Sequence, residues 1–139
     1  MKRRRLTPRE TAFLQRERVI RVATVGRDGT PWVVPVCHAV ERGTIYFGSD
    51  KDGRKVQNIA KTKRLSLVAD RYSDNWGRLR GVAVAGRGQI LTRGPAFARG
   101  VRLLYRKYRQ YEKVAALEPG ESVIVRVRPS HVMSWNYGE

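Results

Sequence analysis

Residues 44–63 read Thr-Ile-Tyr-Phe-Gly-Ser-Asp-Lys-Asp-Gly-Arg-Lys-Val-Gln-Asn-Ile-Ala-Lys-Thr-Lys, and the pattern changes three times within them. Thr44–Phe47 combines β-branched and aromatic residues, which predicts a strand. Gly48-Ser49 breaks it, Asp50–Gly53 forms a loop, and Arg54–Lys61 sets Val56, Ile59 and Ala60 at helical spacing. A strand, a break and a short helix opening on Arg54-Lys55 have the makings of an anion seat, because the free amides of a helix N-terminus point at the ligand and two cations flank it. The same residues also suit a plain connection with Arg54 and Lys55 solvated, so the flanking chain decides the reading.

Upstream, residues 1–5 read as a frayed basic tail. Thr7-Pro8-Arg9-Glu10 carries a helix start, with Thr7 as N-cap, Pro8 at the first helical position and Glu10 closing a capping box. Val19–Val25 is a strand, Asp28-Gly29 a tight turn, and Thr30–Val40 a second strand in which Pro31 and Pro35 demand an edge or a bend. Downstream, Leu65–Arg71 alternates as a fourth strand. Val82–Leu91 is a fifth, with Gly81, Gly86 and Gly88 permitting bulges and coiling. Pro95–Leu117 predicts one long helix. Its apolar stripe is Phe97, Val101, Leu104, Tyr105, Tyr108 and Tyr111, and Arg99, Arg102, Arg106, Arg109 and Lys113 form the basic face. Glu121–Val132 is the last strand, followed by a Trp135-Asn136-Tyr137 tail. Six antiparallel strands with helices at their ends predict a mainly β (α+β) single domain over 1–139, closed as a small barrel.

The chain of 139 residues carries Lys+Arg 29 against Asp+Glu 12, a net charge of +17, and arginine outnumbers lysine roughly three to one. Such a surplus favours an anionic partner, and the guanidinium fork suits phosphate and carboxylate; a merely solvated basic surface is the alternative. The single cysteine, Cys37, forms no internal disulfide and fits a reducing compartment. No apolar run approaches the roughly 20 residues of a membrane span, and the start lacks a signal-peptide core, so a cytoplasmic protein is expected.

Several chemistries are disfavoured. Cys37, His38 and His131 are the only soft metal ligands, and neighbours on a strand cannot both face one ion, so no metal site is expected. The same alternation argues against a Cys-His nucleophile pair and leaves Cys37 an ordinary small core residue. Neither a Gly-x-Gly-x-x-Gly turn nor a P-loop is present. An enzyme built from these residues needs a bound cofactor for its reactivity.

The order of elements resembles the split β-barrel flavin-binding superfamily named after pyridoxamine 5′-phosphate oxidase, and within it the short branch of coenzyme F-420-dependent enzymes. The resemblance runs through Arg18–Val25 with Asp28-Gly29-x-Pro31, Val34-Pro35-Val36, Ile45-Tyr46-Phe47, Arg54-Lys55 with Asn58-Ile59, Val68–Tyr72 with Asp74-x-Trp76, Arg78-Leu79-x-Gly81-Val82, Gly86-Arg87 and Ser134-Trp135. It covers about residues 7–135, and the ordered set is more specific than any one motif. It implies a six-stranded split β-barrel with flanking helices and a phosphate seat at Ser49, Arg54 and Lys55. It also implies a flavin wall at Val36, Cys37 and His38, and a pairing segment at Arg80 and Gly81. Two chains would form a homodimer with the cofactor at the subunit interface, where Trp76 and Trp135 are candidates for the partner's contribution. The sequence departs from the true oxidase in carrying His38 where a basic residue is common and in lacking the C-terminal extension that holds the pyridoxal substrate, so oxidation of pyridoxamine phosphate is not expected.

The resemblance thus implies an oxidoreductase using F-420, or else FMN, to transfer a hydride to or from a small-molecule substrate, with the arginine surplus favouring F-420. A non-catalytic flavin- or haem-binding protein is a second reading. Nucleic-acid binding through the Arg99–Lys113 face is a third, but its aromatics fall on the apolar stripe and suit a core better than base stacking. No specific nucleic acid and no membrane are therefore expected as partners.

Overall fold

A computed structural model describes residues 3–138. Its single antiparallel sheet has seven strands: β1 (Ile20–Val25), β2 (Pro31–Val36), β3 (His38–Glu41), β4 (Thr44–Asp50), β5 (Arg64–Arg71), β6 (Arg80–Leu91) and β7 (Ser122–Asn136). They lie in the order β2-β1-β5-β6-β7-β4-β3. The two edges of this sheet are β2 and β3, which Cys37 alone separates in sequence. Two residues of extended chain span at most about 7 Å, so the far edges must come back to within that distance and the sheet curls into a barrel. The strand expected over Thr30–Val40 is therefore two strands. Its prolines explain the choice, since Pro31 and Pro35 give no donor and sit on an edge.

The barrel interior holds Ile20, Val22, Ile45, Phe47, Leu67, Val84, Val125 and Val127, all essentially inaccessible. Two helices plug it. The helix α1 (Pro8–Arg16) contributes Leu14 and α2 (Arg54–Thr62) contributes Ile59, both fully buried in the same cluster. The capping box of Thr7 and Glu10 forms as the sequence requires. Outside the barrel, α3 (Gly94–Lys107) lies on β3, β4 and β7, with Phe97, Leu104, Tyr46 and Ile124 in a second cluster. Gly100 permits the close approach, because a Cβ there would come within 2.7 Å of Ile124.

Several expectations are corrected. Gly48-Ser49 does not end its strand: β4 continues to Asp50, pairing Gly48 with Ile124 and Ser49 with Val123. On α2 the buried residues are Val56, Asn58 and Ile59, whereas Ala60 is exposed. Asn58 can be buried because its Nδ2 donates to Thr24 Oγ1 at 3.0 Å. Arg3 is not frayed. Its carbonyl accepts from the Val132 amide, and its guanidinium donates to both Glu10 carboxylate oxygens; Met1 and Lys2 lie outside the described residues. The C-terminal Trp135-Asn136 belongs to β7. The long helix divides into α3 and α4 (Tyr111–Ala115), with Tyr108 extended between them.

Tyr108 leaves the helix to close the barrel. Its hydroxyl accepts from the His38 amide at 3.0 Å and donates to the Arg18 carbonyl at 3.0 Å. One phenol thus ties the start of β3 to the segment entering β1, across the seam that no strand ladder spans. Tyr108→Phe should lower stability by about 1–2 kcal/mol, because both backbone groups lose their partner. A urea midpoint matching wild type would show that the seam does not depend on this hydroxyl.

Candidate functional site

The helix start expected to seat an anion is that of α2. Gly53 is its N-cap, extended at φ −63° and ψ 151°, with no side chain capping the helix and no acid in its first turn. The strand β4 delivers buried Ser49 beside this end, its Oγ donating to the Asp50 carbonyl at 3.0 Å. A Cβ on Gly53 would stand 3.1 Å from Ser49 Oγ and 3.9 Å from Lys55 Nζ. The space between these atoms is therefore a cradle that any larger residue would fill. Lys55 is half-buried, and burial lowers its amine below the ordinary lysine range while Asp50 partly restores it. The Arg54 guanidinium lies over the Trp32 ring, 4.9 Å from its centroid.

Trp32 extends the seat along β2. Register places Trp32, Val34 and Val36 opposite Thr24, Val22 and Ile20, on the face turned to the interior. The other edge of β2 has no strand partner, so its backbone donors and acceptors are open beside an indole and two valines. An anionic group at the helix start with a planar group along β2 matches this chemistry. Sequence reading missed Trp32 because its stacking partner is 22 positions away, although an aromatic next to Pro31 on an exposed edge was a usable signal.

The other expected site residues do not gather here. Cys37, expected as a small core residue, is instead exposed, because it is the single residue joining the two sheet edges, and it lines a separate cleft with Arg18, Lys107 and Tyr111. Arg80, Gly81 and Trp135 line a third cleft, of about 550 Å³, against α1. Gly81 is the bed of the Trp135 indole, since a Cβ there would overlap the ring at 2.3 Å. Trp76 stands 74% exposed in the loop before β6. Among the described residues no group of three His, Cys, Asp or Glu could hold a metal ion, and no helix is long and apolar enough to cross a membrane.

A second basic feature crosses the outer sheet face. Register aligns Arg64 of β5 with Arg87 of β6 and Arg87 with Arg128 of β7, all exposed. Like charges directly opposed across strands are destabilising, and none of the ion pairs among the described residues relieves this row. The row begins where α2 ends, at Lys63, whose carbonyl accepts from the Gly88 amide. Lys55 lies roughly 12 Å of helix rise away.

Residues 6–136 match the model of the pyridoxamine 5′-phosphate oxidase family. The chain is 40% identical over 68 residues to the 5a,11a-dehydrotetracycline/5a,11a-dehydrooxytetracycline reductase of Streptomyces rimosus, a match covering 46% of this chain and 48% of that protein. It thus spans about half the length of that relative. Among solved structures, a conserved hypothetical protein of Mycobacterium tuberculosis superposes with TM-score 0.82 at 22% identity, over 99% of this chain and 90% of the other. An FAD-binding protein of Mesorhizobium loti gives TM-score 0.73 at 25% identity, over 94% and 95%. An F-420 reductase gives TM-score 0.70 at 22% identity, over 92% and 98%.

His38 faces the interior and is fully buried. Its Nε2 lies 2.7 Å from the Leu14 carbonyl, which requires the proton on Nε2. Lys107 Nζ donates to the same carbonyl at 3.2 Å and lies 3.4 Å from Nε2; two donors facing each other make this a contact rather than a hydrogen bond. Burial, then the Lys107 charge, lower the imidazole from 6.5 to about 4. Between these values the unfolded chain binds more protons than the folded one. Stability is therefore full above pH 6.5 and falls by roughly 2–3 kcal/mol as pH drops toward 4. Urea unfolding should show this slope between pH 6.5 and 5, and His38→Gln should flatten it; an unchanged slope would assign the acid sensitivity to other groups.

Proposed function

We propose that this chain, which belongs to the pyridoxamine 5′-phosphate oxidase family of split-barrel flavin-binding proteins, is an oxidoreductase that binds coenzyme F-420, with FMN second, and exchanges a hydride with a small organic molecule. The cradle at Gly53 carries the reading: a glycine-lined space bounded by Ser49 Oγ, Lys55 Nζ and the uncapped start of α2 fits a phosphate group. The names of the Streptomyces rimosus reductase and of the F-420 reductase agree with it. The arginine row supports F-420 over FMN, since a cofactor with negative charge beyond its phosphate gives those side chains an occupation that FMN does not.

When bound, such a cofactor supplies the hydride chemistry that no side chain of the chain offers. The protein binds and orients. The α2 amides, Ser49 and Lys55 take the phosphate; half-burial disfavours the lone Lys55 ammonium but strengthens its attraction to a bound phosphate, which restores the charge. Trp32 holds the Arg54 guanidinium in place, and Val34 and Val36 give the ring an apolar side. Arg54→Ala with Lys55→Ala should weaken F-420 or FMN binding at least about a hundredfold, at roughly 1.5–3 kcal/mol per charge-assisted contact. The fold should be unchanged by circular dichroism. Equal affinity in the double variant would remove the phosphate from this helix.

The active form we propose is a homodimer. The outer face is covered by α3 over β3, β4 and the start of β7 but bare over β1, β2, β5, β6 and the end of β7. There Val33 is 65% and Met133 55% exposed beside the small residues Ala23, Ala83 and Ala85. An exposed apolar patch of this kind, bordered by Arg21, Ser66 and His131, suits a second copy, and Trp76 and Trp135 remain candidates for reaching its site. Light scattering at micromolar concentration should give the mass of two chains, and Met133→Glu the mass of one. A single-chain mass for wild type would rule out the dimer.

A further inference from the structure

Next to the seam lies a cleft of about 670 Å³ between Cys37 and the turn joining α3 to α4. Arg18, Lys107 and Arg109 bring three cations to it, and no carboxylate lines it. Apart from Gln110 its other walls are aromatic and apolar. The Tyr108 ring has Arg18 at 5.6 Å and Lys107 at 5.3 Å from its centroid, and Tyr111 meets it edge-on at 6.3 Å. Val114 is 77% exposed beside them on α4. Burial pushes both phenols up to about 12, so near neutral pH they are uncharged. The cleft lies across β4 from the α2 seat. The Tyr111 hydroxyl occupies the space at Gly48, 2.8 Å from where a Cβ would stand, and Gly48 immediately precedes Ser49.

An apolar-walled cleft with several cations and no acid selects against sugars and against cations. It selects for a flat apolar body carrying negative charge. We propose that this cleft binds an aromatic organic anion (a phenolate, carboxylate or sulfonate), with its rings against Tyr108, Tyr111 and Val114 and its charge toward Arg18 and Lys107. This binding chemistry does not rest on the oxidoreductase reading.

The test uses the full chain without cofactor and 8-anilinonaphthalene-1-sulfonate as probe, followed by fluorescence. Val114→Glu, a surface change that adds negative charge at the wall, should weaken probe binding tenfold or more. Lys113→Glu, on the same helix but outside the cleft, should leave it within twofold. The uncharged N-phenyl-1-naphthylamine should bind at least tenfold more weakly than the sulfonate. Equal loss in both glutamate variants, loss in neither, or equal binding of the two probes would overturn the proposal. Arg54→Ala with Lys55→Ala should not change probe binding, so a failure of the phosphate seat and a failure of this cleft give different results.

Discussion

The closest constraint on this molecule is the single residue between its sheet edges. A seven-stranded sheet whose first and last members are joined through Cys37 has no freedom to lie open. Closure is therefore imposed by connectivity, and the core follows from it, because only a closed sheet gives Leu14 and Ile59 a shared interior to plug. Connectivity alone leaves backbone groups at the seam without ladder partners, and a buried unpaired amide is costly. Tyr108 resolves this by leaving its helix and giving its hydroxyl to both sides. Lys107 and His38 meet at the Leu14 carbonyl just behind it, so three elements converge where the sheet does not hydrogen-bond to itself.

Much of this was legible in the sequence, and the losses have physical causes. The capping box, the Asp28-Gly29 turn, the strand alternation of Leu65–Asp70 and the helix opening on Arg54 are local patterns, and each appears where the residues indicate. Gly48 was misjudged because glycine signals both a break and a close approach. Here it makes room for Tyr111 and Leu117. The helix break at Tyr108 was hidden because the apolar stripe runs on to Tyr111 without interruption, and only a hydrogen bond 70 positions away redirects the chain. His38 shows the same limit: alternation separates it from Cys37, but nothing local reveals the Leu14 carbonyl that claims it.

The surplus positive charge is distributed unevenly. Glu10, Glu17, Glu41 and Asp70 pair with Arg3, Arg71, Arg99 and Arg21, so part of the basic surface is structural. Among the described residues, the cations of α2, of the Arg64–Arg87–Arg128 row and around the seam cleft take part in none of these ion pairs. Tyr105 of α3 packs on the second cluster, and Arg99 is committed to Glu41, which leaves that helix a poor stacking surface for bases.

Along β4, adjacent residues turn to opposite sides of the sheet: Gly48 outward to the tyrosines, Ser49 inward to α2. A strand is a partition one residue thick, and each of its sides can be altered without entering the other compartment. A lineage built on this scaffold can therefore vary the outer lining through Val114, Arg109 or Tyr111 while the inner one stays as it is. The converse holds for insertions. One extra residue at Cys37 would exchange the inside and outside of an entire edge strand, so diversification is confined to substitutions at the seam and to length changes in exposed turns such as Arg27–Gly29.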